Sequence, residues 1–551
     1  MDTRNNNKMF CFQCEQTANG TGCTIQGVCG KTAEVACMQD LLIYQLKGIS
    51  NYANRFLERG GKIETPIIEF MEDSLFMTLT NVNFDPNNHM EQLKKTKEIK
   101  DMLKNRLGEE LTNGEATYIL RDTREEILED AKRAGIFADE NLDPDIRSVR
   151  ETIKYGLKGI SAYAHQARFI GYENPDVNLF YFKALDKLTD SSLSLGDNIA
   201  LLLETGEAAY KMMETLDTAN NETYSPPTPH KVNVHVKKGP FIVISGHDFR
   251  DLEMLLQQTE GRGVNIYTHG EMIPSHGYGN LKKYEHLVGN YGGAWQNQQK
   301  EFANLPGCVL MTTNCLMRPM KSYIDRIYTT NVVGWDGLKH IPKKEDGTKD
   351  FTEMIEQALA LGGFPEDEPV KEILVGFGHK TVLSYADKIL DAVKNGEISR
   401  FFVIGGCDGA KADRDYYTRF AVGTPKDSII LTLACGKYRF NKLDFGEVAG
   451  LPRLLDLGQC NDNYSAIIIA SALAKKLGVG VNDLPLSLII TWYEQKAVAD
   501  LLSLLWAGVQ GIRLGPTMPA FITPNVYNFL HEKFDLKPIT TPEKDLADIL
   551  G

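Results

Sequence analysis

Two hydrophobic rhythms divide this chain. From about residue 34 to residue 218, apolar side chains return every three or four positions, as in YGLKGISAYAHQARFIG and NIALLLETGEAAYKMMETLDTAN. That spacing puts one face of a helix against a core. REEILEDAKRAGI, 124 to 136, keeps the rhythm with charged residues between the apolar ones, and strand-like alternation is scarce. The segment TANNETYSPPTPHKV, 218 to 232, breaks the pattern. Its Asn, Ser and Pro content forbids a continuing helix and predicts a domain boundary.

Beyond it the apolar positions come in short runs that stop at Gly or a polar residue: GPFIVISGHD, GVNIYTHGE, GCVLMTTNC, EILVGFGHK, RFFVIGGCDG, SIILTLACG and LSLIITWYE. Each reads as a buried strand, and several precede a plausible helix, the alternation of α/β domains with mostly parallel sheets. GGFPEDEPVKE, 362 to 372, predicts a linker within this region. The expected fold class is therefore multidomain α plus α/β. A mostly helical unit spans 1–225, a first α/β unit 226–367 and a second 368–551. With 551 residues and roughly 150 residues per domain, three or four domains fit the length.

Charge narrows the partners. The net charge is -13, with 73 acidic against 60 basic residues, which works against non-specific nucleic-acid binding. KKTKEIK, 94 to 100, is short and mixed with an acid, so it reads as a solvated helix face. The most apolar late stretch, LPLSLIITWYEQKAVADLLSLLWAGVQGI, is interrupted by Glu494, Lys496 and Asp500 and does not read as a membrane span. MDTRNNNKMF shows no secretory signal. A cytoplasmic protein with reduced thiols is expected, and clustered cysteines then point to metal rather than disulfides.

Four cysteines fall in CFQCEQTANGTGCTIQGVCG, residues 11 to 30. Cys11 and Cys14 form a tight chelating hook, and Cys23 and Cys29 complete a four-thiolate set suited to tetrahedral zinc or to an iron–sulfur cluster. Spacing alone leaves those two open. Glycines at 20, 22, 27 and 30 allow the backbone to wrap a compact inorganic core. Cys37 sits in a helical pattern and reads as packed rather than ligating.

The other cysteines stand apart in sequence but in comparable places. Cys315, Cys407 and Cys435 follow apparent strands, and Cys460 in DLGQCND precedes a helical stretch. His247, Glu271 and Glu494 also follow strand-like runs, the position at which open α/β sheets gather ligands. The four sulfurs would suit iron or nickel held with sulfide, and the two carboxylates and one imidazole iron carrying oxygen ligands. Neither GGCDG nor GFGHK has dinucleotide-loop spacing, so no bound NAD or flavin is expected.

At this point FCFQCEQTANGTGCTIQGVCGKTAE closely resembles the opening of the hybrid cluster (prismane) proteins. The resemblance continues through ISGHDFRDLE, THGEMIPSHGY, TTNCLMRP, GGCDGAKADRDYY, LACGKYRF, LGQCND and TWYEQKAVA, from about Phe10 to the end. MDTRNNNK lies outside it and looks disordered. The resemblance implies a helical N-terminal domain followed by two related Rossmann-like α/β domains. It implies a [4Fe-4S] cluster on Cys11, Cys14, Cys23 and Cys29. It also implies a hybrid iron–sulfur–oxygen cluster, of [4Fe-2S-2O] type, on His247, Glu271, Cys315, Cys407, Cys435, Cys460 and Glu494. Cys407 becomes the candidate for a persulfide, and Cys308 and Cys37 match no ligand.

The implied activity is reduction of hydroxylamine to ammonia and water, with electrons relayed by the [4Fe-4S] cluster. Nitric oxide reduction or protein S-nitrosation is one alternative, and a non-catalytic redox sensor or electron store is another. Glu494 and Cys407 would act at the hybrid cluster, while Lys496 and His276 are candidate proton donors. The expected electron donor is a ferredoxin-like protein or a separate NADH-linked reductase, and the chain is expected to be a monomer.

Overall fold

The computed structural model describes residues 8–411 and 414–551. The leader MDTRNNN and Ala412 and Asp413 of the GGCDGAKADRDYY motif lie outside the described residues. The first part is helical. Its long helices are Ala33–Glu58, Pro86–Leu107, Pro144–Phe169 and Leu195–Tyr224. Their starts follow local chemistry: Thr32 accepts from the Val35 N–H, Asp143 accepts from Asp145 and Ile146, and Ser194 forms a capping box with Asp197. No helix among the described residues is long and apolar enough to cross a membrane.

The last of these helices does not stop at the expected break. It runs through Thr218 to Tyr224, because Asn220 and Asn221 are buried in its packed face and tertiary burial outweighs their low propensity. The stop comes at Ser225, held at φ +63°, followed by Pro226 and Pro227.

Two six-stranded sheets follow. In the first, β1 is Phe241–Ser245, β2 Asn265–His269, β3 Leu287–Asn290, β4 Cys308–Met311, β5 Ile327–Thr330 and β6 Lys339–Ile341. They lie in the order β3-β2-β1-β4-β5-β6, all parallel. In the second, β7 is Arg400–Gly406, β8 Ser428–Leu433, β9 Leu454–Gly458, β10 Leu486–Thr491, β11 Ile512–Gly515 and β12 Lys537–Pro538. Their order is β9-β8-β7-β10-β11-β12, again parallel. The two sheets therefore share one strand order, that of a doubly wound Rossmann sheet. Its order reverses between β1 and β4 in the first sheet and between β7 and β10 in the second.

One strand-like run behaves differently. Glu372–Val375 of EILVGFGHK does not join a parallel sheet but pairs antiparallel with His230–Asn233. Each lies beside a segment expected to be a linker. Together they bury Val232 and Val375 against Ile273 in a small apolar cluster of their own.

The helical part meets the second sheet through the helix Gln495–Trp506. A Cβ at Gly159 would stand 2.4 Å from the carbonyl oxygen of Gln495. Only glycine lets the helix Pro144–Phe169 approach so closely, at the start of the helix that carries Lys496.

Candidate metal centres

The seven dispersed donors all stand at or just beyond the C-terminal end of a parallel strand. His247 follows β1, Glu271 follows β2 and Cys315 follows β4. Cys407, Cys435, Cys460 and Glu494 follow β7, β8, β9 and β10. The two sheets point these ends at each other. His247 and Cys315 flank the switch point of the first sheet, and Cys407 and Glu494 that of the second. All seven are buried.

Direct contacts tie the two sets together. Donor atoms of His247, Glu271 and Cys460 lie within 4.8 Å of one another. The Cys460 N–H donates to Glu271 Oε2 at 3.0 Å, and the Gln459 amide donates to the carbonyls of His247 and Glu271 at 3.0 and 2.7 Å. Across the other side, Asn314 Nδ2 donates to Glu494 Oε1 at 3.1 Å, and Cys407 Sγ lies 4.0 Å from the same oxygen. Cys315 follows a cis peptide bond with Asn314.

The backbone that aims His247 needs glycine. Gly246 has φ +117°, and a Cβ there would stand 2.3 Å from Thr312 Oγ1. The turn brings His247 Nδ1 within 2.9 Å of Thr313 Oγ1 and leaves Nε2 facing Glu271 and Lys496. A histidine ligand is commonly oriented by such a bond on its other nitrogen.

The charges show what this nest is built to receive. Burial, then the Lys496 ammonium, pushes His247 down to about 4, so its imidazole is neutral. Burial works against Glu271 as a carboxylate, but His247, Lys437 and Lys496 hold it down to about 2. Burial raises the pKa values of Cys315, Cys407, Cys435 and Cys460, with neighbouring carboxylates among the further causes. Lys496 is the cation at the centre: Nζ stands 2.8 Å from His247 Nε2 and 3.9 Å from Glu494 Oε1. Burial opposes its charge, yet Cys460 and Glu494 raise its pKa. Four thiols, two carboxylates and a neutral imidazole form a donor set suited to a larger cationic group, since metal binding reverses thiol protonation.

The anterior cysteines form a second, separate set. Cys11 and Cys23 face each other in a two-residue antiparallel bridge, with N–H···O distances of 3.0 and 2.8 Å. Cys14 and Cys23 are buried, while Cys11 and Cys29 reach the surface. Burial and the mutual charges of the four raise the Cys14 pKa. Lys31 is buried beside them and donates to Gln39 at 2.5 Å. Its ammonium offsets thiolate charge, and the set fits a four-thiolate cluster.

Tyr493 lies between the two sets. Burial raises its pKa first, then Cys14 and Cys29 on one side and Cys315 and Cys407 on the other. Its ring stacks on Trp295 at 4.5 Å, and its hydroxyl has no partner among the described residues. The Tyr493 carbonyl accepts from Glu15, inside the anterior loop.

Arg414, fully buried, ties the same parts together. It donates to Glu15 and Asp408, each at 2.5 Å, and to Thr491 at 2.9 Å. Neither Tyr493 nor Arg414 stood out in the sequence. Their only signal was adjacency to Glu494 and to GGCDG.

His276 falls elsewhere. It bonds Thr268 Oγ1 at 2.9 Å and, among the described residues, none of the seven donors. Burial and His230 push it down to about 3, so its imidazole is uncharged near neutral pH. Cys37 and Cys308 are also apart: Cys37 bonds the Lys8 carbonyl and Cys308 bonds Gln357.

The profile of the Prismane/CO dehydrogenase family matches residues 9–547. The chain is 50% identical over 553 residues to a protein named hydroxylamine reductase from Syntrophobacter fumaroxidans, covering 98% of this chain and 100% of that one. It is 50% identical over 549 residues to one of the same name from Methanocella arvoryzae, again covering 98% and 100%. Among solved structures it resembles a carbon monoxide dehydrogenase from Thermococcus sp. AM4, with TM-score 0.56 at 15% identity, over 98% of this chain and 90% of that one. Carbon monoxide dehydrogenase IV from Carboxydothermus hydrogenoformans gives TM-score 0.55 at 16% identity, over 98% and 92%. At those identities the structures speak for the fold alone.

Proposed function

The chain belongs to the Prismane/CO dehydrogenase family, and from that premise we propose that it is an iron–sulfur oxidoreductase reducing hydroxylamine to ammonia and water. The balanced reaction is NH2OH + 2e− + 2H+ → NH3 + H2O. The observation that carries this reading is the convergence of seven buried donors from two sheets, six of them beside Lys496 and Cys435 beside Glu271 and Cys407. It is joined to relatives at half identity that bear the name hydroxylamine reductase.

We assign Cys11, Cys14, Cys23 and Cys29 to a [4Fe-4S] cluster. His247, Glu271, Cys315, Cys407, Cys435, Cys460 and Glu494 are assigned to a hybrid [4Fe-2S-2O]-type cluster, with Cys407 the position for a persulfide. When bound, the hybrid cluster supplies Lewis-acidic iron and accessible oxidation states for breaking the N–O bond. The protein's own residues do the rest. Thr313 holds the His247 ring so that Nε2 faces the other donors. Asn314 and the Lys496 N–H hold the two oxygens of Glu494, at 3.1 and 2.8 Å. Rotation away from those two bonds would let the carboxylate shift without leaving the site. Lys496, held protonated by the anions around it, is the positioned proton source for the departing oxygen. His276, neutral and bonded to Thr268, does not take that role. The Trp295–Tyr493 stack lies between the cysteine sets, on the route of electrons from the anterior cluster.

The test is anaerobic turnover of the reconstituted protein, with ammonium counted against hydroxylamine consumed and electrons delivered. One ammonium per two electrons supports the reading. Reduction of nitric oxide without ammonium formation would move the assignment to nitric oxide, and no turnover of either would leave an electron store or sensor.

A further inference from the structure

A cleft of about 530 Å³ opens on the surface beside the anterior cysteines. Cys29 and Tyr493 both line it, so one opening reaches from the surface-edge ligand position to the aromatic ring between the two cysteine sets. Its charged lining residues are two cations, Arg318 and Lys411, with no carboxylate among the described lining residues. The chain as a whole carries -13, so this is a local reversal of sign.

The two cations are placed by different parts of the fold. Arg318 is exposed and sits against the anterior loop, where a Cβ at Gly30 would stand 3.8 Å from Arg318 Cβ. Lys411 pairs with the buried Glu15 at 2.6 Å. Glu15 is itself also matched by Arg414, and Asp408 by Arg414 and Arg439. That network holds three cations against two carboxylates, and Lys411 is its member on the cleft. Val28, which lines the cleft, and Ile25, next to the lining residue Gln26 in sequence, are 58% and 68% exposed, the least buried large apolar side chains of the anterior loop.

We propose that this cleft is the docking site for a small acidic electron-carrier protein, ferredoxin-like in presenting an iron–sulfur cluster near its surface. Arg318 and Lys411 recognise its carboxylates, and Ile25 and Val28 make the apolar contact. The inference rests on the reading of Cys11, Cys14, Cys23 and Cys29 as the holders of the entry cluster. Charge complementarity selects the occupant. An acidic carrier is disfavoured by the chain's net negative charge and attracted by the two cations here, which steers encounter and fixes orientation. A small patch of two cations and two apolar side chains suits a transient interface, which redox partners use. Each electron passes from the reduced carrier to the anterior cluster in the docked complex, so the carrier pool gives up two electrons per hydroxylamine reduced.

The experiment uses the anaerobic holoprotein and an acidic 2[4Fe-4S] ferredoxin as the probe. Calorimetry gives the binding constant in the absence of turnover, and stopped-flow spectroscopy gives the rate of anterior-cluster reduction by the reduced ferredoxin. Arg318→Glu and, separately, Val28→Asp are expected to weaken ferredoxin binding about tenfold or more and to slow the transfer in proportion. The parental affinity should fall steeply as salt rises. Iron content and reduction by dithionite report whether each variant is correctly assembled. Parental ferredoxin affinity in both assembled variants, or affinity indifferent to salt, overturns the proposal. Tight, salt-sensitive binding that both substitutions weaken upholds the docking site even where hydroxylamine turnover fails, so the two readings fall separately.

Discussion

Replacing Arg414 with Met should loosen the anchor that joins the anterior cysteine loop to the second sheet. The guanidinium is fully buried and bridges two carboxylates, Glu15 and Asp408, at 2.5 Å each. Breaking a buried ion pair by removing one partner costs about 3–5 kcal/mol, because a charge is left without compensation. Here each carboxylate keeps one cation, Lys411 on Glu15 and Arg439 on Asp408. The loss therefore belongs at the lower end, about 3 kcal/mol. At roughly 2.1 cal/mol/K per residue, the 551-residue chain unfolds with an entropy of about 1.2 kcal/mol/K. The expected fall in Tm is then about 2–3 °C for a single transition, read by calorimetry on the anaerobic protein. Arg414→Lys should recover less than half of it, since one ammonium cannot reach both carboxylates in a fork. In a double-mutant cycle with Glu15→Gln, the two losses should overlap by about 1 kcal/mol or more. Strictly additive losses, or an unchanged Tm for Arg414→Met, would refute the bridging role.

Other expectations follow from the same geometry. Glu494→Gln keeps an oxygen to cap Lys496 N–H but removes the anionic donor. Iron per chain should drop by about four while the anterior-cluster signal persists, and full iron with full turnover would remove Glu494 from the ligand set. Lys496→Met should lower kcat by about 10²-fold or more with iron content retained and the pH profile altered; parental turnover at every pH would exclude lysine from proton delivery. Tyr493→Phe deletes a hydroxyl that has no partner among the described residues, so stability should stay within about 0.5 kcal/mol. A large fall in Tm would show a missed contact. His89 is buried and neutral, with burial pushing it down to about 4. The unfolded chain takes up a proton near pH 6.5 and the folded chain does not, so this histidine subtracts about 1.4 kcal/mol per pH unit as pH falls from 6.5 to 4. His89→Gln should flatten that part of the stability curve, and an unchanged slope in denaturant titrations would contradict it.

The donor residues were legible because chemistry and period coincide in them. A cysteine, a histidine or a glutamate directly after a short apolar run marks the end of a strand, and strand ends are where open sheets collect ligands. That logic reached six of the seven positions; Cys460 was placed only ahead of a helical stretch, because the strand before it was not recognised. The fold brings all seven to the facing ends of its two sheets. Strand order was another matter. LVGN, IYTT, KHI and LLDLG, each short and interrupted by Gly, Thr or charged residues, did not announce β3, β5, β6 and β9. The helix through Asn220 and Asn221 was missed because local propensity says nothing of the packing that overrides it.

The supports of the site were least legible. Arg414 meets Glu15 across 399 positions, and Lys496 meets His247 across 249. No local pattern encodes such pairs, since topology alone makes them neighbours. His276 shows how little a sequence neighbourhood says of a side chain's surroundings: the fold buries its ring against Thr268.

The central claim is that two cysteine-containing sets hold two distinct iron centres. Iron and acid-labile sulfide counted per chain in anaerobically purified protein, with EPR recorded across a redox titration, test it most directly. The account predicts about eight irons, about four in each of two magnetically distinct centres. About four irons with a single ordinary cluster signal, unchanged after iron–sulfur reconstitution, would contradict it.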